Sequence, residues 1–480
     1  MRSRVDRLML WLAIGSFVIG VAARVFAAHN DLWFDEIWTL QLLQERAHSF
    51  GDVFTKIKHS NNHHLCSLWM WLVGQNASAL VYRFPSVLAS IGTILVAGLI
   101  GLRRSRLQGC VAVILTSWSY LLIHFGTEAR GYSLAIFFAL LSWYALQQFV
   151  ERRSWTWIIV FWASVVLGFL AHLEFAIAFA GLIAWAAWRL FRYRSKRRES
   201  VLDVFKLFTV PVALVLVFYF VALRGFEVGG GPEYRVIPLL IKAASYTVGG
   251  PGAGIAAVIA AVFVSVSVYV ALATLMFERD DRWVFYAVLI VLPVALIAIL
   301  LPVALSVRYF VISVATSLLL LSSGYALLLR RSVGNLALPL TLLAVYVAGN
   351  TINTGNLLRF GRGQYLTALR FIEKNSEQER VVITSDHDFR NGMLVNYYKG
   401  YLARPDAVRY ANGATLNEQG ADWLILHSFD QRKGPPRVTD DRGHTYQFVR
   451  IFPYSDLSGW NWLLYHNVDR PPLAQNASSQ

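Results

Sequence analysis

The side chains of this chain best placed to do chemistry are carboxylates, imidazoles and guanidiniums embedded in apolar sequence, because an ionisable group near lipid is costly unless it is used or paired. The segment LWFDEIWTL, 32–40, sets Asp35 and Glu36 among large apolar residues. Either carboxylate could take a proton as a general base, and either could instead cap a helix at an interface. If the stretch is helical, neighbouring side chains diverge by about 100°, so only one of the two faces a cavity. Further on, HSNNHHLCSLWMWL, 59–72, places Asn61, Asn62, His63 and His64 directly before an aromatic, membrane-hugging helix. Paired imidazoles can hold an anion or a metal. Adjacent histidines lack the i, i+4 spacing of a helical metal site, and the need for a divalent metal stays open.

Three shorter clusters follow. TEARGYSL, 127–134, carries Glu128, Arg130 and Tyr132 at the mouth of two consecutive apolar runs. Glu128 and Tyr132, four apart, could share a helix face, and Glu128 could equally pair with Arg130. AHLEF, 171–175, supplies His172 and Glu174, and SVRYF, 306–310, supplies Arg308 and Tyr309. An arginine at that depth wants an anionic partner. Taken singly these are residues that could merely snorkel at span ends; together they fall on one side of the membrane, where they could line one cavity.

The elements that must position them are membrane helices. Of 480 residues, 56% are hydrophobic and only 15% charged, more apolar than a water-soluble chain needs. The net charge of +15 is not a nucleic-acid signature, because the arginines lie in short patches between long apolar runs. Stretches of spanning length fall near 8–28, 82–101, 109–125, 131–150, 155–171, 175–190, 205–223, 254–277, 283–301, 309–329 and 335–350, giving about eleven transmembrane helices. The first is expected to be a retained helix rather than a cleavable signal peptide. With the N-terminus cytoplasmic, every inner loop is basic: Arg2, Arg4 and Arg7; Arg103, Arg104 and Arg106; Arg152 and Arg153; 192–198; Arg279 and Arg282; Arg330 and Arg331. The outer loop 29–80, with its amphipathic helices, then faces the periplasm or cell exterior, as does everything after about 350. Cys66 and Cys110 are expected a bilayer apart and unpaired.

Two domains result: a transmembrane domain over 1–350 and a small water-soluble α/β domain over 351–480. In the latter, RGQYLTALRFIEKNSEQE and NGMLVNYYKGYL read as helices, and VVITS, ADWLILHSF and YQFVRIFPY as strands. The tail PPLAQNASSQ reads as disordered. The glycine-rich GGGP at 229 and GGPGAG at 249 lack the Gly-Lys-Ser/Thr of a phosphate loop and read as lids or linkers.

The order of the motifs resembles the GT-C fold glycosyltransferases: Asp-Glu after the first span, Asn-His-His-Leu before an amphipathic helix, Glu-Ala-Arg-Gly-Tyr after the third, a histidine-containing turn after the fifth, and Arg-Tyr-Phe entering a late span. The protein O-mannosyltransferase-like and aminoarabinose transferase-like families are the nearest in pattern, over roughly residues 1–350. Asn62-His63-His64-Leu65 departs from the Asn-His-Pro-Pro common there. The resemblance implies an inverting transferase that takes a sugar from a polyprenyl-phosphate donor and gives it to an envelope lipid, glycan or protein on the outer side of the cytoplasmic membrane. It implies Asp35 as general base with Glu36 as the lesser candidate. For the leaving phosphate, cations are required where negative charge develops, and Arg130 and Arg308 are expected there, with His63 and His64 assisting and Glu128 orienting Arg130 or the acceptor. Asp386-His387-Asp388 after VVITS imitates the Asp-X-Asp element of nucleotide-sugar enzymes, but the domain is too small for that fold, and strand-end capping is the preferred reading. The alternative class is a membrane transporter or lipid flippase, which gathers its ionisable groups near the bilayer midplane rather than at one mouth.

Overall fold

The computed structural model describes residues 2–193, 197–227, 235–300, 305–332, 335–376, 378–416, 418–430 and 433–470. Outside them lie the GGGP segment, positions 194–196 of the basic loop 192–198, residues 301–304 and the tail PPLAQNASSQ. The chain divides into two compact units, one made of the residues up to Ala28 together with Leu42–Thr354, the other of His29–Gln41 together with the chain from Gly355 onward.

Helices dominate because in lipid every backbone N–H and C=O must be satisfied within its own segment. They run α1 (Arg2–Ala27), α2 (Phe34–Arg46), α3 (Phe50–Thr55), α4 (His64–Val73), α5 (Ala79–Leu102), α6 (Arg106–Trp118), α7 (Tyr120–Gly126) and α8 (Tyr132–Arg152). There follow α9 (Trp155–Ala171), α10 (Phe175–Tyr193), α11 (Arg197–Phe218), α12 (Val236–Thr247), α13 (Ile255–Phe277), α14 (Trp283–Leu300), α15 (Val311–Arg331) and α16 (Ala337–Phe360). Each of the eleven apolar stretches is helical. Among the described residues, eight helices are long and apolar enough to cross a membrane, and the bent pair α6–α7 makes a ninth. The two that fall short do so for visible reasons: α9 has 17 residues, and α16 carries Asn350, Asn353 and Asn356.

The bend between α6 and α7 is 59° and frees backbone groups that other spans then satisfy. Arg24 of α1, fully buried, donates to the carbonyls of Thr116 and Ser117 at 3.0 Å each, to Gly20 O at 2.9 Å and to Ser90 Oγ at 2.7 Å. Tyr120 N–H donates to Asn350 Oδ1 at 2.7 Å instead of to a carbonyl one turn back. The break therefore aims α7, and with it His124, in a direction of its own. At the basic ends of the spans, the arginines are tied by acids from other helices: Arg104 to Glu278 and Asp280, Arg103 to Glu151, and Arg189 to Asp281 at 2.8 Å.

In the second unit, α17 (Tyr365–Lys374) and α18 (Asp388–Tyr398) accompany a six-stranded mixed sheet. Its strands are β1 (Val381–Ser385), β2 (Val408–Tyr410), β3 (Trp423–Ser428), β4 (Arg437–Thr439), β5 (Thr445–Phe452) and β6 (Asn461–Asn467), in the order β2-β1-β3-β6-β5-β4. β1 pairs parallel with β2 and β3, and the remaining pairs are antiparallel. Leu424, Tyr446, Leu463 and Tyr465 form one core cluster. Asn391 ties α18 to β6 by accepting from the indoles of Trp460 and Trp462 at 3.2 and 2.8 Å.

Candidate active site

Within the first unit, side chains from four separated segments converge. The loop before α4 supplies His63, whose Nδ1 accepts from the backbone N–H of Gly131 at 2.8 Å, leaving Nε2 to carry the proton. Its ring lies 4.6 Å from that of His172 and 5.2 Å from that of Tyr132, centroid to centroid. His172 closes α9, and its Nδ1 accepts from Glu174 N–H at 3.0 Å, so this imidazole too presents an Nε2 donor. Burial, reinforced by the charges of Arg130 and Arg308, pushes the His172 imidazole down to about 3 and holds His63 well below its ordinary range. Both rings are therefore neutral at pH 7. The approach of His172 Nδ1 to Glu174 Oε2, 3.8 Å, is accordingly not an ion pair.

Two guanidiniums act on these rings. Arg130, in the turn between α7 and α8, is held by Asn61, donating to its side-chain and backbone oxygens, and its guanidinium carbon lies 5.8 Å from the Tyr132 ring centroid. Arg308, in the 3-10 turn Val307–Phe310 before α15, lies 5.6 Å from the Tyr309 ring. Glu174, its side chain only 6% exposed and near Ile312 N–H and Arg308, has its carboxyl pushed up to about 8 by desolvation, with those two neighbours pulling the other way.

The fit is tight at Gly131. A Cβ there would stand 1.8 Å from the carbonyl oxygen of Ala171 and 2.8 Å from His63 Nδ1, so the glycine of TEARGYSL is required by close backbone approach.

Two expectations need correction. Glu128 and Tyr132 do not share a helix face, because 127–131 is a turn and α8 begins only at Tyr132. Glu128 faces His124, Nε2 to Oε1 at 3.3 Å with both side chains fully buried. His63 and His64 point apart: His64 stacks on Phe54 at 5.4 Å and packs edge-on against Phe218 at 4.9 Å, its Nε2 without a hydrogen-bond partner. Burial brings it down to about 4. The two adjacent imidazoles thus do not form a metal-ligand pair, and no group of three metal-ligating side chains occurs among the described residues. His124 and Gly131 were not singled out from sequence; His124 sits four residues before Glu128 within an apolar run, a spacing that would have flagged it.

Asp35 and Glu36 lie in the second unit, in the first turn of α2. Glu36 Oε2 accepts from Trp33 N–H at 3.0 Å, a capping contact, and the Glu36 side chain is fully buried. Asp35 is 9% exposed. The neighbouring aromatics fasten this segment: Phe34 lies 5.6 Å from Trp460 and 5.5 Å from Phe389, and Trp38 5.2 Å from Phe389. Tyr398 Oη donates to Leu32 O at 2.6 Å, and Leu366 N–H to Asp31 at 3.2 Å. At the end of β1, Asp386 accepts from His427 N–H and pairs with its ring at 3.0 Å, His387 caps α18, and Asp388 accepts from Tyr410 Oη at 2.7 Å. The Asp-His-Asp run is a capping element.

No family model and no curated protein matches the chain. Among solved structures, the Archaeoglobus fulgidus oligosaccharyltransferase tethered with an acceptor peptide containing the NVT sequon is similar at TM-score 0.53 and 11% identity, over 87% of this chain and 69% of that one. ArnT from Cupriavidus metallidurans in the apo state is similar at TM-score 0.50 and 12% identity, over 95% and 98% of the two chains. The protein is a polytopic α-helical membrane protein with a small C-terminal α/β domain, and its fold is the GT-C fold.

Proposed function

We propose that this protein is a glycosyltransferase that moves a hexosyl or pentosyl group, with inversion, from a polyprenyl-phosphate donor to a lipid, glycan or protein acceptor of the cell envelope. The observation that carries the reading is the buried meeting of Arg130 and Arg308 with the neutral, proton-bearing rings of His63 and His172. Two fixed cations and two imidazole donors in a desolvated site suit a group that gains negative charge, such as a departing phosphate. The acceptor hydroxyl attacks the anomeric carbon, the bond from that carbon to the phosphate oxygen breaks, and polyprenyl phosphate leaves with the bonding pair. Asp35 takes the hydroxyl proton, while Glu36, engaged in capping α2, is the poorer base. Tyr309 flanks Arg308 with the neutral Glu174 nearby, Tyr132 flanks Arg130, and Glu128 braces the turn through His124. His64 packs the α4 helix in place. The imidazoles of this cluster spend Nδ1 on backbone N–H groups and carry their proton on Nε2, so these two rings act as donors and not as metal ligands.

In this reading the N-terminus is cytoplasmic and the site faces the outer side of the cytoplasmic membrane, where sugar arrives on a lipid. The test is mass spectrometry of envelope glycans and lipids from cells with the wild-type protein, the Asp35→Asn variant or no protein. The same missing sugar in the last two, with the variant inserted at normal levels, is the expected result. An unaltered envelope in the cells without the protein would remove the transferase reading, and normal glycosylation by Asp35→Asn alone would remove only the base.

A further inference from the structure

We propose that the basic end of the transmembrane unit holds a binding site for the phosphodiester of a glycerophospholipid. A cavity of about 60 Å³ lies between α6, α13 and α15, lined by Arg104, Gln108, Thr274, Glu278, Ser323 and Arg330. It is about 30 Å along α15 from Arg308 at 1.5 Å per residue, and so distinct from the site above. Its volume accommodates a few waters or one phosphate-sized group, and excludes a nucleotide or a sugar chain.

The lining is unusual for the interior of a helix bundle. Gln108 is only 5% exposed and adds a polar amide to the cavity wall. Arg330 stands at the exposed rim with no acidic partner among the described residues, whereas Arg104 is steadied by Ser323 at 3.3 Å, by Asp280 at 3.2 Å and by Glu278. The site thus offers one cation without an acidic partner among the described residues, one amide and one fixed guanidinium. The lipid source is indicated by the last turn of α13, where Phe277, 88% exposed, precedes Glu278 and gives acyl chains an apolar surface next to the cavity mouth. Basic recesses between spans are where lipid phosphates dock.

The test uses the full-length protein in a neutral maltoside detergent, titrated with phosphatidylglycerol and read by native mass spectrometry. Wild type is expected to take up one tightly held lipid, with diacylglycerol, which lacks the phosphate, failing to displace it. Gln108→Leu and Arg330→Ala are each expected to weaken binding about tenfold, the loss of one charge-assisted or buried hydrogen bond. Arg330→Gln, at the exposed rim, serves if Gln108→Leu does not fold. Unchanged binding in the Arg330 variants, or equal binding of diacylglycerol, would overturn the proposal. Inorganic phosphate giving the same Arg330-dependent stabilisation by itself would reassign the site to a soluble anion and overturn the lipid.

Discussion

Replacing Glu174 by glutamine should make the protein more stable, increasingly so as the pH rises. The carboxyl is buried and its folded-state value is about 8, against 4.5 for an ordinary glutamic acid. Between those values the unfolded chain has released its proton and the folded chain still holds one, so stability falls as pH rises. Each pH step costs the folded state about 1.4 kcal/mol, roughly 5 kcal/mol over the whole interval, most of it due to desolvation. Glutamine keeps the shape and stays neutral, so the difference between Glu174→Gln and wild type isolates this one group from everything else that titrates. For a chain of 480 residues the size scaling of the unfolding entropy gives a melting shift of about 1 °C per kcal/mol. Thermal unfolding in detergent, followed at pH 5, 6, 7 and 8, should show the two curves nearly together at pH 5 and about 5 °C apart at pH 8. A separation that stays constant across that range would refute the assignment of Glu174 as a buried, proton-bearing acid.

Three further outcomes are expected. Gly131→Ala should destabilise the protein by about 1–3 kcal/mol or more through overpacking against Ala171, read as a lowered melting temperature together with lost transfer activity. Arg308→Ala should raise the apparent KM for the lipid donor and lower kcat about 10²–10³-fold, in assays with purified protein and a polyprenyl-phosphate sugar; unchanged donor dependence would take Arg308 out of the site. His64→Leu, which replaces an unpartnered buried imidazole by an apolar side chain, should leave activity and stability close to wild type, whereas His63→Leu should abolish transfer.

Lipid makes a membrane fold legible: the requirement for internally satisfied backbone produces long uninterrupted apolar runs, and each of those runs is a helix here. The polar residues that interrupt them at one end, Arg130, His172 and Arg308, stood out for the same reason. Side-chain direction did not. His63 and His64 are neighbours in sequence and look equivalent, yet only the first meets Gly131 N–H, because α4 begins between them and rotates the second toward Phe54. The spacing of Glu128 and Tyr132 allows a shared helix face, but the close approach of Gly131 to Ala171 goes with a turn there. In the second unit β6 escaped notice because it is central and buried almost throughout, so its sequence lacks the alternation of a half-exposed strand. β2 and β4, three residues each, are too short to show any period.

The segment carrying Asp35 is fastened by Phe389, Tyr398 and Trp460, which are made more than 350 residues after it. At about 5–20 residues per second a ribosome needs tens of seconds to travel from one to the other. Throughout that interval the nascent polypeptide already has its first span in the bilayer while its acidic loop waits for its aromatic anchors. Fastening of the acidic loop therefore waits for Trp460, and synthesis that stalls before it leaves the helices in place and the acidic loop unfastened.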